Sequence, residues 1–484
     1  MGSTSAQSDN GGLGRRDLIK RSAALGLIAV PTMSFLSACA SGGGEDDANT
    51  GAKKSKGPVS KENPFGVNKG GKLDVVVFKG GYGDDYAKAW EALFDKKWGT
   101  KTTHLGTQEI TGKLQPRFNG GNPPDVIDDS GAQQIKLDVL FKGGQLFDLA
   151  PVLDAPSVDD PSKKVRDTLI AGTIEQGLQG GKVVALNYVY TLWGLWYSGK
   201  LFKEKGWTEP KTWDDFIAIC KEAKADGIGG LAHQGKFPYY INILIMDLIA
   251  KTGGLEAMKA IDNLDPKAFV GSDAAKASIE AVYEIVEKGL LLPGTNGLTH
   301  TESQTRWNQY KAVFIPSGSW LENEQLKQTP ADFDMKFLPI PLLPGSKLPF
   351  EAIRAGSGEP FIIPSKAKNL PEAQEFMRMM LSKEWSTSFA KEANSLTILK
   401  DGVDPSVKLR PGTQSTVEAV KAAGDANSFN YLYPSWYSEM DVAIQNASNE
   451  LMSKRIQPAE WLKRAQAAVD KAAKDPASKK NHRD

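Results

Sequence analysis

Two carboxylates, Asp128 and Asp129, close the short apolar run Val126-Ile127, and Tyr82 follows a second such run, Leu73 to Phe78, across a Gly80-Gly81 turn. Carboxylates at strand ends accept hydrogen bonds from hydroxyls. Two that are adjacent in sequence cannot flank both faces of a sugar ring as a hydrolytic pair unless a partner comes from elsewhere. Aromatic residues supply the rest of the pattern: Tyr239-Tyr240 after Pro238, Trp320 after Ser-Gly-Ser, and Trp436-Tyr437 after Pro434. A flat ring stacks on an apolar C–H face for about 1 kcal/mol beyond area burial, and carboxylate or guanidinium groups orient a rim of hydroxyls. These residue types suit recognition of a sugar-like ligand. Trp90, Trp98, Trp207, Trp213, Trp385 and Trp461 lie on or beside amphipathic helices and are expected in the core.

Other chemistries lack their residues. The four histidines, at 104, 233, 300 and 482, are far apart, and no His-Glu-x-x-His, Cys-x-x-Cys or dense carboxylate loop indicates zinc or calcium. A Gly-x-Ser-x-Gly nucleophile elbow is missing. Gly227-Ile228-Gly229-Gly230-Leu231-Ala232 fits Gly-x-Gly-x-x-Ala, but it follows a helical pattern and opens no helix that could receive a phosphate. No cofactor and no metal are expected. The chain carries a net charge of +1 with 24% charged residues, and no basic stripe marks a nucleic-acid partner. Cys220 sits in the apolar run Phe216 to Cys220 and is expected to be a small core residue.

The elements that must position these groups begin near Lys72. Leu73 to Phe78 predicts a strand, Asp84 to Trp98 a helix, Thr102 to Leu105 a weak strand, Glu109 to Phe118 a helix and Asp125 to Ile127 a buried strand, an alternation that indicates a mostly parallel sheet. The rhythm continues through Val183 to Tyr197, Trp213 to Ala225, Tyr239 to Thr252 and Ala274 to Glu287. Helices are expected at Glu372 to Leu381, Gln414 to Ala423, Pro434 to Leu451 and Pro458 to Ala473.

The first 39 residues read as an address. Arg15-Arg16 opens Arg-Arg-Asp-Leu-Ile-Lys, and Ser22 to Ala38 is an uncharged run with Pro31 and small residues toward its end. Leu36-Ser37-Ala38-Cys39 resembles the bacterial lipobox, which implies lipidation at Cys39 and a protein held on the outer face of the cell membrane. Gly14 and Leu18 depart from the usual twin-arginine pattern. Residues 39–70, rich in Gly, Ser and Lys, are expected to be a flexible tether.

Three segments resemble the extracellular solute-binding proteins of carbohydrate ABC transporters. They are Val183 to Phe202 with Trp207, Pro210, Thr212-Trp213 and Phe216; Lys311-Ala312-Val313-Phe314 with Gly318 and Trp320; and Ile362 to Lys366 with Ala373 and Phe376. Asn187 and Ser198 depart from the family's proline and asparagine. The resemblance implies a two-lobed α/β fold of the periplasmic-binding-protein type II class, with discontinuous lobes of 71–190 plus 317–357 and 191–316 plus 358–484. It places interlobe crossings near 190–193, 315–317 and 356–359, with Gly318, Gly356 and Gly358 supplying hinge freedom. Family positions fall on Tyr82, Asp128, Asp129, Tyr239, Tyr240 and Trp436, with Trp320, Glu322, Arg354 and Glu359 as rim contacts flanking the crossings. Trp307 is expected in the core.

The leader sequence and Ile353 to Pro360 resemble, more narrowly, actinobacterial lipoproteins that bind N-acetylglucosamine or diacetylchitobiose. By resemblance the protein is a monomeric, non-enzymatic binding component that captures such a sugar and delivers it to a membrane permease. Another mono- or oligosaccharide remains open as the ligand, as do a secreted glycoside hydrolase and a peptide- or polyamine-binding lipoprotein.

Overall fold

The computed structural model describes residues 57–131, 133–476 and 480–483, all within one compact unit. The export signal and Cys39 lie outside the described residues. Among the described residues the strands are, in chain order, β1 Lys72–Phe78, β2 Lys101–Thr107, β3 Val126–Asp128, β4 Leu178–Gln179, β5 Lys182–Val183, β6 Leu186–Ser198, β7 Gly229–Leu231, β8 Ala312–Gly318, β9 Met335–Leu338, β10 Ile353–Ile362, β11 Leu396–Thr397 and β12 Ser428–Phe429. All but the β4–β5 hairpin join one sheet of order β2-β1-β3-β10-β6-β8-β7, in which β9 and β11 also pair with β6, and β12 with β10.

The long strands β6 and β10 run through the middle of this sheet. Their antiparallel register sets Gly356 opposite Thr191 and Arg354 opposite Trp193. On one side, β10 passes to the parallel β3-β1-β2 group, with Phe361 opposite Asp128. On the other, β6 passes to β8 and β7. Each side has its own core. The first gathers Val75 and Val77 of β1 with Trp90, Phe94, Phe376, Trp385 and Phe389, all at most 1% exposed. The second surrounds the helix Tyr239–Gly253, whose buried residues lie all around its circumference, as expected of a helix submerged in a core.

This packing revises the expected lobes. Leu338, Ile340 and Ala352 belong to the second core, and Phe361 and Ile363 through Leu399 supply the first, so 338–352 and 361–399 pack on the sides opposite to those expected. The chain does not cross at 315–317. Strand β8 stays with the second core, and the later crossing falls between Leu399 and the helix Pro411–Ala423, where Ser415 Oγ accepts the Phe337 amide of β9 at 2.9 Å. Gly356 and Gly358 serve close approach rather than backbone freedom. Neither has a positive φ, and a Cβ would lie 2.1 Å from Asn430 Nδ2 and 2.8 Å from Thr191 Oγ1 respectively.

Residues 57–70 do not hang free as the second part of a tether. The Asn63 side chain closes a loop by donating to the Pro58 and Val67 carbonyls and accepting the Val67 amide at 2.7 Å, and Val67 is buried. Glu372 Oε1 then accepts the Asn68 amide, and Arg378 donates to the Glu62 carbonyl, docking the segment on the helix Leu370–Met380. The Gly227 to Ala232 run contains strand β7, and Gly230 packs so closely on buried Cys220 that a Cβ would lie 2.6 Å from the cysteine Cβ. The expected helix from Pro434 to Leu451 breaks at Tyr437 into Tyr433–Trp436 and Ser438–Met452.

Candidate functional site

Two groups of side chains face each other where β6 and β10 join the halves. The first hangs from the ends of β1 and β3. Asp128, fully buried at the end of β3, accepts the Tyr86 hydroxyl at 3.0 Å on one oxygen and the Ser130 hydroxyl on the other. Glu359 of β10 faces it, in a left-handed backbone conformation of φ 56° that a glutamate adopts only under constraint. Burial and then mutual repulsion raise the Glu359 carboxyl well above its usual range. Asp128 is also raised, by burial first and by neighbouring Asp129. Two buried carboxyls this close favour sharing a proton, and a pair that does so can both donate and accept. The Tyr82 ring leans on Phe389 at 5.7 Å; its buried hydroxyl, close to Glu359, has no hydrogen-bond partner among the described residues.

The second group is aromatic. Trp193 on β6 pairs in register with Gly318, and its Nε1 donates to the Tyr239 hydroxyl at 2.6 Å. Tyr239 meets Tyr240 edge-on at 5.4 Å, and Tyr240 stacks on His300 at 5.8 Å and meets the edge of Trp320 at 6.4 Å. Trp320 lies over Gly318, where a Cβ would collide with its ring, and against Gly81 of the opposite half. Asn323 Nδ2 donates to the Gly81 carbonyl at 2.5 Å, so the glycine turn after β1 is held against the second half.

Arg354 anchors the polar end. It is 7% exposed, with its guanidinium carbon 4.9 Å from the Trp193 ring centre and 5.7 Å from that of Tyr431, and its Nε donates to Asn430 Oδ1 at 3.1 Å. Asp247 and Asp441 lie in its field. Burial pushes Asp247 up to about 7 and Asp441 up to about 6, with Arg354 opposing both shifts. Asp247 Oδ1, Asn430 Nδ2 and Trp436 Nε1 are buried without a partner among the described residues. An unmet buried polar atom costs about 1–3 kcal/mol, which a ligand reaching it would recover.

The structure thus places Tyr82, Asp128 and Glu359 in one group and Tyr239, Tyr240, Trp320 and Arg354 in the other. Asp129 turns away to accept the Ile135 amide at 2.9 Å, bracing its own loop. Glu322 is a helix cap rather than a rim contact. Its carboxylate accepts the Gly412 and Thr413 amides, both at 2.7 Å, and the Thr413 hydroxyl at 2.8 Å, and is saturated at the start of Pro411–Ala423. Trp436 is 2% exposed and its ring packs in the second core, leaving Nε1 as the atom with unused bonding capacity.

Trp193, Asn430, Asp247 and Asp441 were not expected at the site. Trp193 carried a usable signal, a tryptophan followed by Gly194 inside an apolar and aromatic strand-like run. Asp441 did not, because an acid in the first turn of a helix, here with Glu439 beside it, ordinarily faces water. Among the described residues no group of three potential ligands fits a metal, and no helix is long and apolar enough to cross a membrane.

Comparison with known proteins identifies the family. Over 432 residues the chain is 38% identical to the diacetylchitobiose binding protein NgcE of Streptomyces coelicolor, covering 88% of this chain and 89% of that one. It is 26% identical to a maltooligosaccharide ABC transporter solute-binding lipoprotein of Streptococcus pneumoniae, over 78% of this chain and 80% of the relative. Among solved structures, a chitin oligosaccharide binding protein superposes with a TM-score of 0.64 at 19% identity, covering 80% of this chain and 94% of the other, and shares the two-lobed type II α/β fold. These relatives are binding proteins, not enzymes. Residues 69–387 match the model of the bacterial extracellular solute-binding protein family, and the chain belongs to that family.

Proposed function

We propose that this protein is the sugar-capturing component of an ABC importer, that it holds N-acetylglucosamine or diacetylchitobiose between its two lobes, and that it hands the sugar to a membrane permease. The observation that carries the reading is the aromatic row Trp193, Tyr239, Tyr240 and Trp320, set beside Arg354 and across from Asp128 and Glu359. The rings suit the apolar faces of pyranoses, and the charged groups suit their hydroxyl rims. The choice of amino sugar rests on the likeness to the diacetylchitobiose binding protein.

Closure about β6 and β10 buries the ligand, and a permease that prefers the closed form couples occupancy to delivery. Lipidation at Cys39 would keep the protein on the outer face of the membrane within reach of that permease. A glycosidase needs two carboxyls about 5–9.5 Å apart across the scissile bond. Asp128 and Glu359 instead lie close enough for the charge of Asp128 to raise the Glu359 carboxyl.

Tryptophan fluorescence during titration with diacetylchitobiose tests the reading. A saturable change that persists in Trp207→Phe but shrinks in Trp193→Phe and Trp320→Phe supports the site. A full change in both of the latter variants would place the sugar elsewhere.

A further inference from the structure

The last described residues, Lys480–Arg483, touch both lobes. Arg483 exchanges two backbone bonds with the Asn263 side chain, each of 2.8 Å. Its guanidinium donates to Asp262 Oδ2 at 2.7 Å and to the Asn430 carbonyl at 2.5 Å. Asp262 is fully buried, and its other oxygen accepts the amides of Leu432 and Tyr433, both at 2.9 Å. Arg483 and Asp262 together fix the backbone of 430–433, the segment whose Asn430 side chain holds Arg354. Lys480 Nζ donates to the carbonyls of Ala472 and Asp475, pinning the beginning of the stretch.

Asn481 reaches the other lobe. Its amide donates to the Tyr437 hydroxyl at 3.1 Å, while its Oδ1 accepts the Gly180 amide at 3.2 Å. Gly180 and Gly181, with φ 55° and 81°, form the two-residue tip of the β4–β5 hairpin, which belongs to the first lobe through the Val183 carbonyl and the Leu149 amide. The same hairpin extends Gln179 to the Ser435 carbonyl. The hairpin is therefore bonded at neighbouring residues to the tail and to the short helix Tyr433–Trp436.

We propose that residues 480–483 act as a strap between the lobes. Arg483 is a positioning residue that sets the ligand-facing segment 430–436, and Asn481 ties that segment to the opposite lobe, slowing the opening that releases a bound sugar. The release part of this proposal rests on the cleft being a sugar site. The tie itself does not, and it can be read without ligand.

The test uses the full chain with Asn481→Ala, Arg483→Gln and Arg483→Lys. It measures hydrogen exchange at the Gly180 amide in the free protein and stopped-flow release of diacetylchitobiose. Loss of one net hydrogen bond corresponds to about fivefold. Asn481→Ala is expected to speed Gly180 exchange and sugar release by about that factor, with association unchanged. Arg483→Gln is expected to speed both, and Arg483→Lys to restore part of the difference, because a charge remains beside Asp262. If Gly180 exchange is unchanged in Asn481→Ala, or if the variants alter only the melting temperature, the strap is refuted. If the unaltered protein binds no sugar, the cleft reading fails, and Gly180 exchange alone still decides the strap.

Discussion

Arg354→Met separates what the guanidinium does for the fold from what it does for a ligand. The substitution keeps the apolar stem as far as the position of Nε while deleting the guanidinium, its bond to Asn430 and its contacts over Trp193 and Tyr431. One charged hydrogen bond and two cation–π contacts place the stability loss at about 3 kcal/mol. The change also removes the positive charge that opposes the upward shifts of Asp247 and Asp441, so both should move further up from their values of about 7 and about 6. If the same guanidinium bonds a sugar hydroxyl, its loss costs about 1.5–3 kcal/mol of binding, a rise in Kd of about 10- to 150-fold. Asn430→Ala is the control, since it removes the support but leaves the charge. Thermal unfolding and calorimetry on both variants supply the comparison. A folded Arg354→Met protein that binds sugar with unaltered Kd would refute the placement of Arg354 in the site.

Glu322→Ala should destabilise by about 2 kcal/mol, because the Gly412 and Thr413 amides lose their acceptor, and sugar affinity measured below the melting transition should not change. Trp436→Phe fills most of the same core space but lacks Nε1. It should weaken sugar binding several-fold in a fluorescence titration with little change in melting temperature, whereas equal affinity would remove Trp436 from the site. His104 bridges Glu91 at 2.7 Å and Asp84 at 3.2 Å, and the Glu91 bond raises its pKa above the ordinary 6.5. Its contribution is full below that ordinary value and is lost as pH rises through the higher folded value. Melting curves between about pH 6 and 8 should accordingly fall less steeply in His104→Gln than in the unaltered protein.

The long periodic elements were legible in the sequence because one physical rule governs each of them. Tyr239–Gly253 and Asp273–Glu287 carry apolar residues through several turns, and the run into β6 is apolar with β-branched and aromatic residues. Segment 57–70 was misread because its order comes from one asparagine closing a loop, and composition does not register that. Pro434 announced a helix start, but nothing local marked the break at Tyr437, where the backbone takes φ −140° and ψ 73°.

The site was legible as residue types and less so as roles. Tyr239, Tyr240 and Trp320 followed turn or proline signals. Glu322 carried the right chemistry for a rim contact, but amides ninety residues later claim it. The crossing expected at 315–317 failed for a similar reason, since Gly318 makes room for the Trp320 ring and not for a hinge.

Calorimetric titration with N-acetylglucosamine, diacetylchitobiose, maltose and cellobiose tests the amino-sugar assignment most directly. Heat of binding with the first two and none with the others is the expected result. Binding of maltose or cellobiose with no response to either amino sugar would contradict it.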